Sequence, residues 1–300
     1  MYRIETPFET VVDGLTLPEC PRWQEGALYF ADILQGQVFR MQPGQSSELI
    51  HQSADDFTGG IGFLPGGNPI VVHSKTRQLV RIGEPAGRRY ADLTGLCRWV
   101  LNDMITANGF AYVSQPGFDI WSAPAQGFPP ETELLLVAPD GTCSIAASSM
   151  MSPNGMAVSP DGLTIYVAEC TAMCISAFSI NPQSGALSSR RIFARLPDGA
   201  VPDGICLDSE GAVWAAAPVA VRATGVGEGP GVLRLAPDGS ATHVVRVDAG
   251  RRVVACAFGG PDRSDLYVCT VGNFDDEHGF VPGQGRIERV PLPFRGAGSP

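Results

Sequence analysis

The chain has 300 residues, of which 44% are hydrophobic and only 17% are charged, and its formal net charge is -10. This length allows a large hydrophobic core, and we predict a single domain over residues 1–300. The negative charge argues against a nucleic acid or an anionic membrane as a partner, because neither would be attracted electrostatically.

The first segment, residues 1–14, has no basic region followed by an apolar run, so we expect no secretory signal there. No stretch approaches the roughly 20 apolar residues that cross a bilayer. The eight cysteines lie in or beside hydrophobic segments and form no CxxC pair. They predict reduced core thiols and a cytoplasmic location, although their spacing leaves a disulfide pair open.

One phrase recurs six times along the chain. It consists of a short apolar segment, a glycine-containing turn and a strand with an aromatic or β-branched centre. The six copies span residues 19–32, 60–74, 102–115, 154–169, 203–217 and 254–270. The centres of their second strands recur every 41 to 54 residues. Repeats of this length made of short strands are typical of propeller blades.

The sequence around these copies predicts the outer strands of each blade. Alternating segments suited to outer hairpins occupy residues 36–44, 78–93, 174–196, 231–247 and 285–294. We therefore predict an all-β fold, a six-bladed β-propeller with four-stranded blades around a central channel. A strand near residues 8–14 should complete the last blade, and helices should be few. Another all-β solenoid or a pair of sandwiches is the alternative.

The start of each repeat is where chemistry is expected, because the first strand of a blade lines the channel. When the copies are aligned on their second strands, four of them place an oxygen-bearing side chain at the same position: Glu19, Asn102, Asn154 and Asp203. Asn and Asp also favour turns, but Glu does not.

Four converging oxygen donors predict a site for one divalent cation. Carboxylate and amide oxygens are the ligands of Ca²⁺, which is the favoured ion, with Zn²⁺, Mn²⁺ or Mg²⁺ as alternatives. No Cys or His occupies these four positions, which argues against a tetrahedral zinc cage.

Several motifs carry a family resemblance. They are ECPRW (19–23), LNDM (101–104), SPNGMAVSPDGLTIYVAE (152–169) and VPDGICLDSEGAVWAA (201–216). From about residue 12 to 293 the chain resembles the senescence marker protein/gluconolactonase family of regucalcin-like six-bladed propellers. The resemblance implies hydrolysis of lactones and a metal held by Glu19, Asn154 and Asp203. It also implies that Asn102 is a further ligand or a substrate contact.

The chain departs from the sugar-lactone members of that family in one telling place. Those members commonly carry Arg two residues before the axial Asn, where this chain has Val100. Loss of that guanidinium favours a less polar lactone or ester. Arg98 is a candidate replacement, on the expectation that it shares a strand face with Val100. Asp103 is a further candidate, which would orient Asn102 or contact substrate.

Two side chains are candidates for proton transfer. Asp203 is predicted to be the general base, because it is the one axial Asp. His73, in the segment VVHSK, could shuttle a proton near neutral pH, and a structural role is the alternative. We expect His278 to lie in a polar loop, residues 273–280, that either rims the pocket or is solvated surface, and residues 117–130 to form a lid or a subunit contact.

These features predict a metal-dependent lactonase or esterase whose partner is a small lactone or ester. One alternative is a propeller that binds a small molecule or a protein and uses the cation structurally. A metal-dependent phosphotriesterase or a lyase-type ring opening is another alternative. Serine-hydrolase chemistry is disfavoured because the chain lacks a nucleophile elbow.

Overall fold

The computed structural model describes residues 1–83, 88–120, 131–272 and 279–298. The first half of this region contains fourteen strands and a short 3₁₀ turn, Ile33–Gln35. The strands are β1 (Tyr2–Ile4), β2 (Glu9–Leu15), β3 (Pro18–Gln24), β4 (Ala27–Asp32), β5 (Gln37–Met41), β6 (Glu48–Gln52), β7 (Thr58–Phe63), β8 (Pro69–His73), β9 (Gln78–Arg81), β10 (Arg89–Asp92), β11 (Met104–Ala107), β12 (Phe110–Val113), β13 (Thr132–Val137) and β14 (Cys143–Met150).

The second half adds twelve strands and another 3₁₀ turn, Pro197–Gly199. The strands are β15 (Pro153–Val158), β16 (Thr164–Glu169), β17 (Cys174–Ile180), β18 (Leu187–Arg195), β19 (Ala200–Val201), β20 (Ile205–Leu207), β21 (Val213–Arg222), β22 (Gly225–Leu235), β23 (Ala241–Val245), β24 (Arg251–Gly259), β25 (Asp265–Gly272) and β26 (Gly285–Pro291). No helix in the described ranges has the length and apolar character needed to cross a bilayer.

These strands form six antiparallel sheets, which confirms the predicted six-bladed propeller. Blades 1 to 4 follow the chain as β3–β6, β7–β10, β11–β14 and β15–β18. Blade 6 contains β24, β25 and β26, and β2 forms its fourth strand by pairing antiparallel with β26. The predicted closure by a strand near residues 8–14 is therefore confirmed. Closure of this kind ties the two ends of the ring together by backbone hydrogen bonds.

Blade 5 departs from the four-stranded pattern. Its innermost strand is broken into β19 and β20, both of which pair with β21. β1 adds a parallel outer strand next to β23, which the sequence did not predict. β21 and β22 are the longest strands of the described chain, with 10 and 11 residues, and they form an extended hairpin.

The core lies between the blades and is built largely from the centres of the second strands. Tyr112, Trp214 and Tyr267 are almost completely buried, and Val71 is fully buried at the matching position. An aromatic side chain of this kind removes about 150–250 Å² from water, which favours folding by roughly 4–6 kcal/mol before conformational entropy is subtracted. The repeat that revealed the blades is therefore also the repeat that fills the core.

Asp208 connects the blade 5 turn to this core. Its fully buried carboxylate accepts hydrogen bonds from the backbone N–H groups of Glu210 and Ala212, each at 2.9 Å. It also accepts Nε1–H of Trp214 at 2.9 Å and Nε–H of Arg234 at 2.7 Å. A single carboxylate thus fixes the turn, the indole orientation and the next strand.

We predict that Asp208→Ala lowers the free energy of unfolding by about 3 kcal/mol, because it leaves the buried Nε–H of Arg234 and the buried indole N–H of Trp214 without their acceptor, while Arg234 keeps its pair with Glu210. Urea unfolding of the two proteins measures this loss. Asp238→Ala is the matched control, since Asp238 accepts bonds only within the exposed turn to Ser240. Equal losses in the two variants would contradict this role for Asp208.

Candidate functional site at the axial mouth

The four axial side chains come from four different blades. Glu19 and Asn154 are the second residues of β3 and β15, Asn102 lies two residues before β11, and Asp203 lies in the break between β19 and β20. All four side chains are partly exposed. Each therefore stands at or just before the start of an innermost strand, where the repeat alignment placed it.

Contacts link these four residues. The Asn102 amide donates from Nδ2 to Oδ1 of Asn154 at 2.9 Å. The Asn154 amide favours the charged form of the Asp203 carboxylate and so opposes the rise of its pKa, and the Glu19 and Asp203 carboxylates repel each other. The structure therefore brings Glu19, Asn102, Asn154 and Asp203 into one cluster.

Beside this cluster the inner strands approach each other so closely that some positions have room only for glycine. Gly60 donates its N–H to the carbonyl oxygen of Asn102 at 2.9 Å, and a β-carbon on Gly60 would lie 1.9 Å from the Met104 nitrogen. A β-carbon on Gly155 would lie 2.5 Å from the carbonyl oxygen of Asp203. Glycine at these two positions is what lets the axial backbone segments touch.

The cluster has an excess of buried negative charge. Burial raises the pKa of Glu19 well above its usual value, and repulsion by Asp203 and Asp103 raises it further. Burial, together with repulsion by Asp103, raises the pKa of Asp203 to about 7, although the Asn154 hydrogen bond opposes the shift. Both carboxylates would be stabilised in their charged form by a cation between them.

The Asp103 side chain is buried and paired, which does not suit a substrate contact. Its carboxylate is 6% exposed and pairs at 2.8 Å with the equally buried guanidinium of Arg22 from blade 1. Arg22 also donates to the carbonyl oxygen of Met104 at 2.7 Å, and Asp103 accepts the Met104 N–H at 2.7 Å. The pair joins blades 1 and 3 beside the axial residues, so the structure favours a positioning role over the predicted substrate contact.

We predict that Arg22→Met lowers the free energy of unfolding by about 3 kcal/mol, because it leaves the Asp103 carboxylate buried without its partner. The double variant R22M/D103N should recover part of this loss, since no uncompensated charge remains. Denaturant unfolding of the single and double variants gives the coupling energy. Strictly additive losses would contradict a direct pair.

Two neighbours of the axial cluster were missed by sequence analysis. One is Arg22, and the other is Cys170, whose thiol donates to the Pro202 carbonyl oxygen at 3.1 Å beside Asn154. Burial and the negative charge of Asp203 raise the pKa of this thiol. Cys170 lies near the axis because Pro153 pairs with Glu169, which brings the end of β16 next to the start of β15.

The expectation that Arg98 shares a strand face with Val100 is wrong. β10 ends at Asp92 and β11 starts at Met104, so both residues lie in the connecting segment. Val100 is buried, whereas Arg98 is exposed and its guanidinium lies 4.7 Å from the centre of the Trp99 ring. The alternation of strand side chains therefore does not apply to this segment.

His73 contacts the neighbouring blade. Its Nε2 lies 2.9 Å from Nε2 of His51, and its Nδ1 lies 3.9 Å from the Asp56 carboxylate. Among the described residues, no hydrogen bond joins His73 to the four axial side chains. Asp56 in turn accepts the N–H groups of Lys75 and Thr76, so this group fixes the blade 1–blade 2 junction.

We predict that this histidine pair makes stability depend on pH. Burial, and then the charge of His73, lowers the pKa of His51 to about 4 from its usual 6.5. Because the folded pKa is depressed, the contribution is complete above about pH 6.5 and is lost as the pH falls towards 4. His51→Gln should reduce the loss of unfolding free energy between pH 7 and 4.5 by about 2 kcal/mol.

Urea unfolding of wild type and His51→Gln at the two pH values tests this prediction. The difference between the proteins isolates the histidine from carboxylates that titrate in the same range. An identical pH dependence in both proteins would contradict it.

Some candidates lie outside the described residues. They are His278 and residues 121–130 of the predicted lid or contact segment. Within the described ranges, no three side chains of His, Cys, Asp or Glu group together as metal ligands would. The axial cluster instead combines two carboxylates with two amides, which is a donor set for a hard cation.

Comparisons with known proteins show similarity to one family. Residues 17–272 match the family model described as SMP-30/Gluconolactonase/LRE-like region. A pentonolactonase of Haloferax volcanii is 33% identical, over 89% of this chain and 86% of the relative. A 6-deoxy-6-sulfogluconolactonase of Pseudomonas putida is 29% identical, over 84% and 82%.

A solved structure has the same fold. The calcium-binding protein regucalcin of Agrobacterium tumefaciens matches with a TM-score of 0.78 at 17% identity, over 100% of this chain and 98% of that one. This identity is too low to carry more than the fold.

Proposed function

The chain belongs to the SMP-30/gluconolactonase family, and we propose that it is a metal-dependent lactonase acting on a small lactone. Two of its relatives hydrolyse lactones by their names, a pentonolactonase and a sulfogluconolactonase. The observation that carries the proposal is the convergence of two half-buried carboxylates, Glu19 and Asp203, with two amide side chains at the starts of the innermost strands, where loss of water raises the pKa of both acids.

Glu19, Asn154 and Asp203 would hold the cation, and Ca²⁺ is the favoured ion. The donors are all oxygen atoms, which Ca²⁺ prefers, and the two carboxylates would balance a divalent charge. Asn102 donates to Asn154 and so orients its amide oxygen. When bound, the cation supplies Lewis-acid stabilisation of the oxyanion that forms at the lactone carbonyl.

Asp203 is the proposed general base. Its carboxylate accepts a proton from the water that attacks the lactone carbonyl carbon, and the ring C–O bond then breaks. The same group returns the proton to the departing ring oxygen, so the products are a hydroxyl group and a carboxylic acid, which ionises by releasing its proton to solvent. Burial raises the pKa of Asp203, and a bound cation would lower it again, which keeps the carboxylate in the ionised form that accepts a proton.

Substrate polarity is proposed from residue 100. Val100 is buried at the position where sugar lactonases commonly place Arg, and its carbonyl oxygen accepts the thiol of Cys97. Val100 therefore supplies no charged donor to a hydroxylated ring. We propose a less polar lactone than gluconolactone as the preferred substrate.

We predict that Asp203→Asn lowers kcat for lactone hydrolysis by about 10²–10⁴-fold, because it removes the general base and one anionic ligand. Glu19→Gln should raise the cation concentration needed for half-maximal activity. A pH-indicator assay with aliphatic lactones, aldonolactones and an aryl phosphotriester measures both effects, with and without chelator. Asp161→Asn, in an exposed turn, is the matched control.

Each outcome of this assay decides the proposal. Loss of lactone hydrolysis in chelator and its return with added Ca²⁺ would support it. Wild-type protein that opens no lactone with Ca²⁺, Mg²⁺, Mn²⁺ or Zn²⁺ would overturn it. Turnover of the phosphotriester alone would replace it with phosphotriesterase activity.

A further inference from the structure

A second concavity lies away from the axial cluster, between blades 5 and 6. Its volume is about 490 Å³, within the range of about 300–1,000 Å³ typical of small-molecule sites. The extended β21–β22 hairpin forms one wall, and the start of β24 forms the other. We call this concavity the hairpin cleft.

Small residues of the hairpin line part of the cleft. β22 begins with alternating glycines at positions 225, 227, 229 and 231, of which Gly229 and Gly231 line the space together with Ala217 and Ala220 of β21. A β-carbon on Gly229 would lie 1.9 Å from the carbonyl oxygen of Ala217, so glycine is required for the two strands to approach here. These four residues add little side-chain volume to that wall.

The described lining of the cleft is basic, although the protein as a whole has a net charge of -10. Among the lining residues that the structure describes, two carboxylates, Asp198 and Glu228, stand against five arginines, which are Arg3, Arg222, Arg246, Arg251 and Arg252. Concentrating arginines in one concavity of an acidic protein creates a local positive potential.

Two of these arginines have carboxylate partners outside the lining. Arg3 lies 3.3 Å from Glu5, and Arg251 lies 3.4 Å from Glu288. Arg222 and Arg246 are exposed, and within the described ranges neither forms an ion pair. Their charge is therefore available to a ligand.

Arg222 and Arg252 also shape the hairpin. Arg252 donates to the carbonyl oxygens of Pro218 and Gly227, at 3.0 and 3.4 Å. Arg222 donates to the carbonyl oxygen of Glu228 at 3.4–3.5 Å. These carbonyl groups carry no net charge, so they position the two guanidinium groups on neighbouring peptide units, and the bond to Glu228 does not neutralise Arg222.

We propose that the hairpin cleft binds a small polyanion, a compound that carries two or more negative charges on carboxylate or phosphate groups. Planar guanidinium groups pair with both kinds of anion in two-point hydrogen bonds. This site is separate from the axial cluster, so its occupancy does not require that the protein hydrolyse lactones.

Isothermal titration of the full chain with citrate and with inorganic phosphate tests the proposal, at ionic strength held constant with sodium chloride. Wild type should bind at least one of the two anions. The double variant R222Q/R246Q should weaken that affinity by about tenfold or more, because two charge-assisted contacts are lost. Arg191→Gln, an exposed arginine on β18, should bind like wild type.

The outcomes are distinct. Binding of citrate alone or phosphate alone supports the proposal and identifies the anionic group. It is overturned if wild type binds neither anion, or if R222Q/R246Q binds as tightly as wild type. Circular dichroism confirms that the variants fold, and the titration contains no lactone, so its result is independent of the proposed lactonase activity.

Discussion

The close approach of neighbouring inner strands is the constraint on which the axial site depends. Backbone groups of one blade bond directly to the next, as in the bond from Gly204 N–H to the Val254 carbonyl oxygen at 2.9 Å. Such contact is open only to residues without side chains, and a β-carbon on Gly204 would lie 2.5 Å from that of Ala255. The ring can therefore be narrow, and residues at the starts of its strands meet at one point.

The narrow ring of inner strands also determines the pKa values of the axial carboxylates. Carboxylates brought to the axis lose water and face each other, so their charged forms are costly unless positive charge is supplied. The protein's own cation, Arg22, is committed to Asp103 at 2.8 Å. The charge of Arg22 lowers the pKa of Glu19, but this effect is smaller than the rise caused by burial and by repulsion from Asp203 and Asp103. Because Arg22 is paired with Asp103, the negative charges of Glu19 and Asp203 are not compensated by a cationic side chain of this arrangement.

Sequence periodicity could predict the ring, its closure by β2 and the alignment of Glu19, Asn102, Asn154 and Asp203, because each depends on a repeated spacing. It could not predict the partner of Asp103, since Arg22 lies 81 positions away and belongs to another blade. Arg98 was misplaced because strand alternation was extended into a connecting segment. His73 was predicted to shuttle protons from the chemistry of its imidazole alone. Its partner, His51, lies on the outer strand of the preceding blade.

In blade 5 a single strand, β21, contacts both the axial cluster and the hairpin cleft. β21 accepts the Asp203 N–H at the carbonyl oxygen of Ala216, at 2.9 Å, while the next residue, Ala217, lines the hairpin cleft. β19, directly before Asp203, pairs with β21 at Val219 and Ala220. The Asp203 backbone and β19 are thus both held by β21, the strand that also carries lining residues of the cleft.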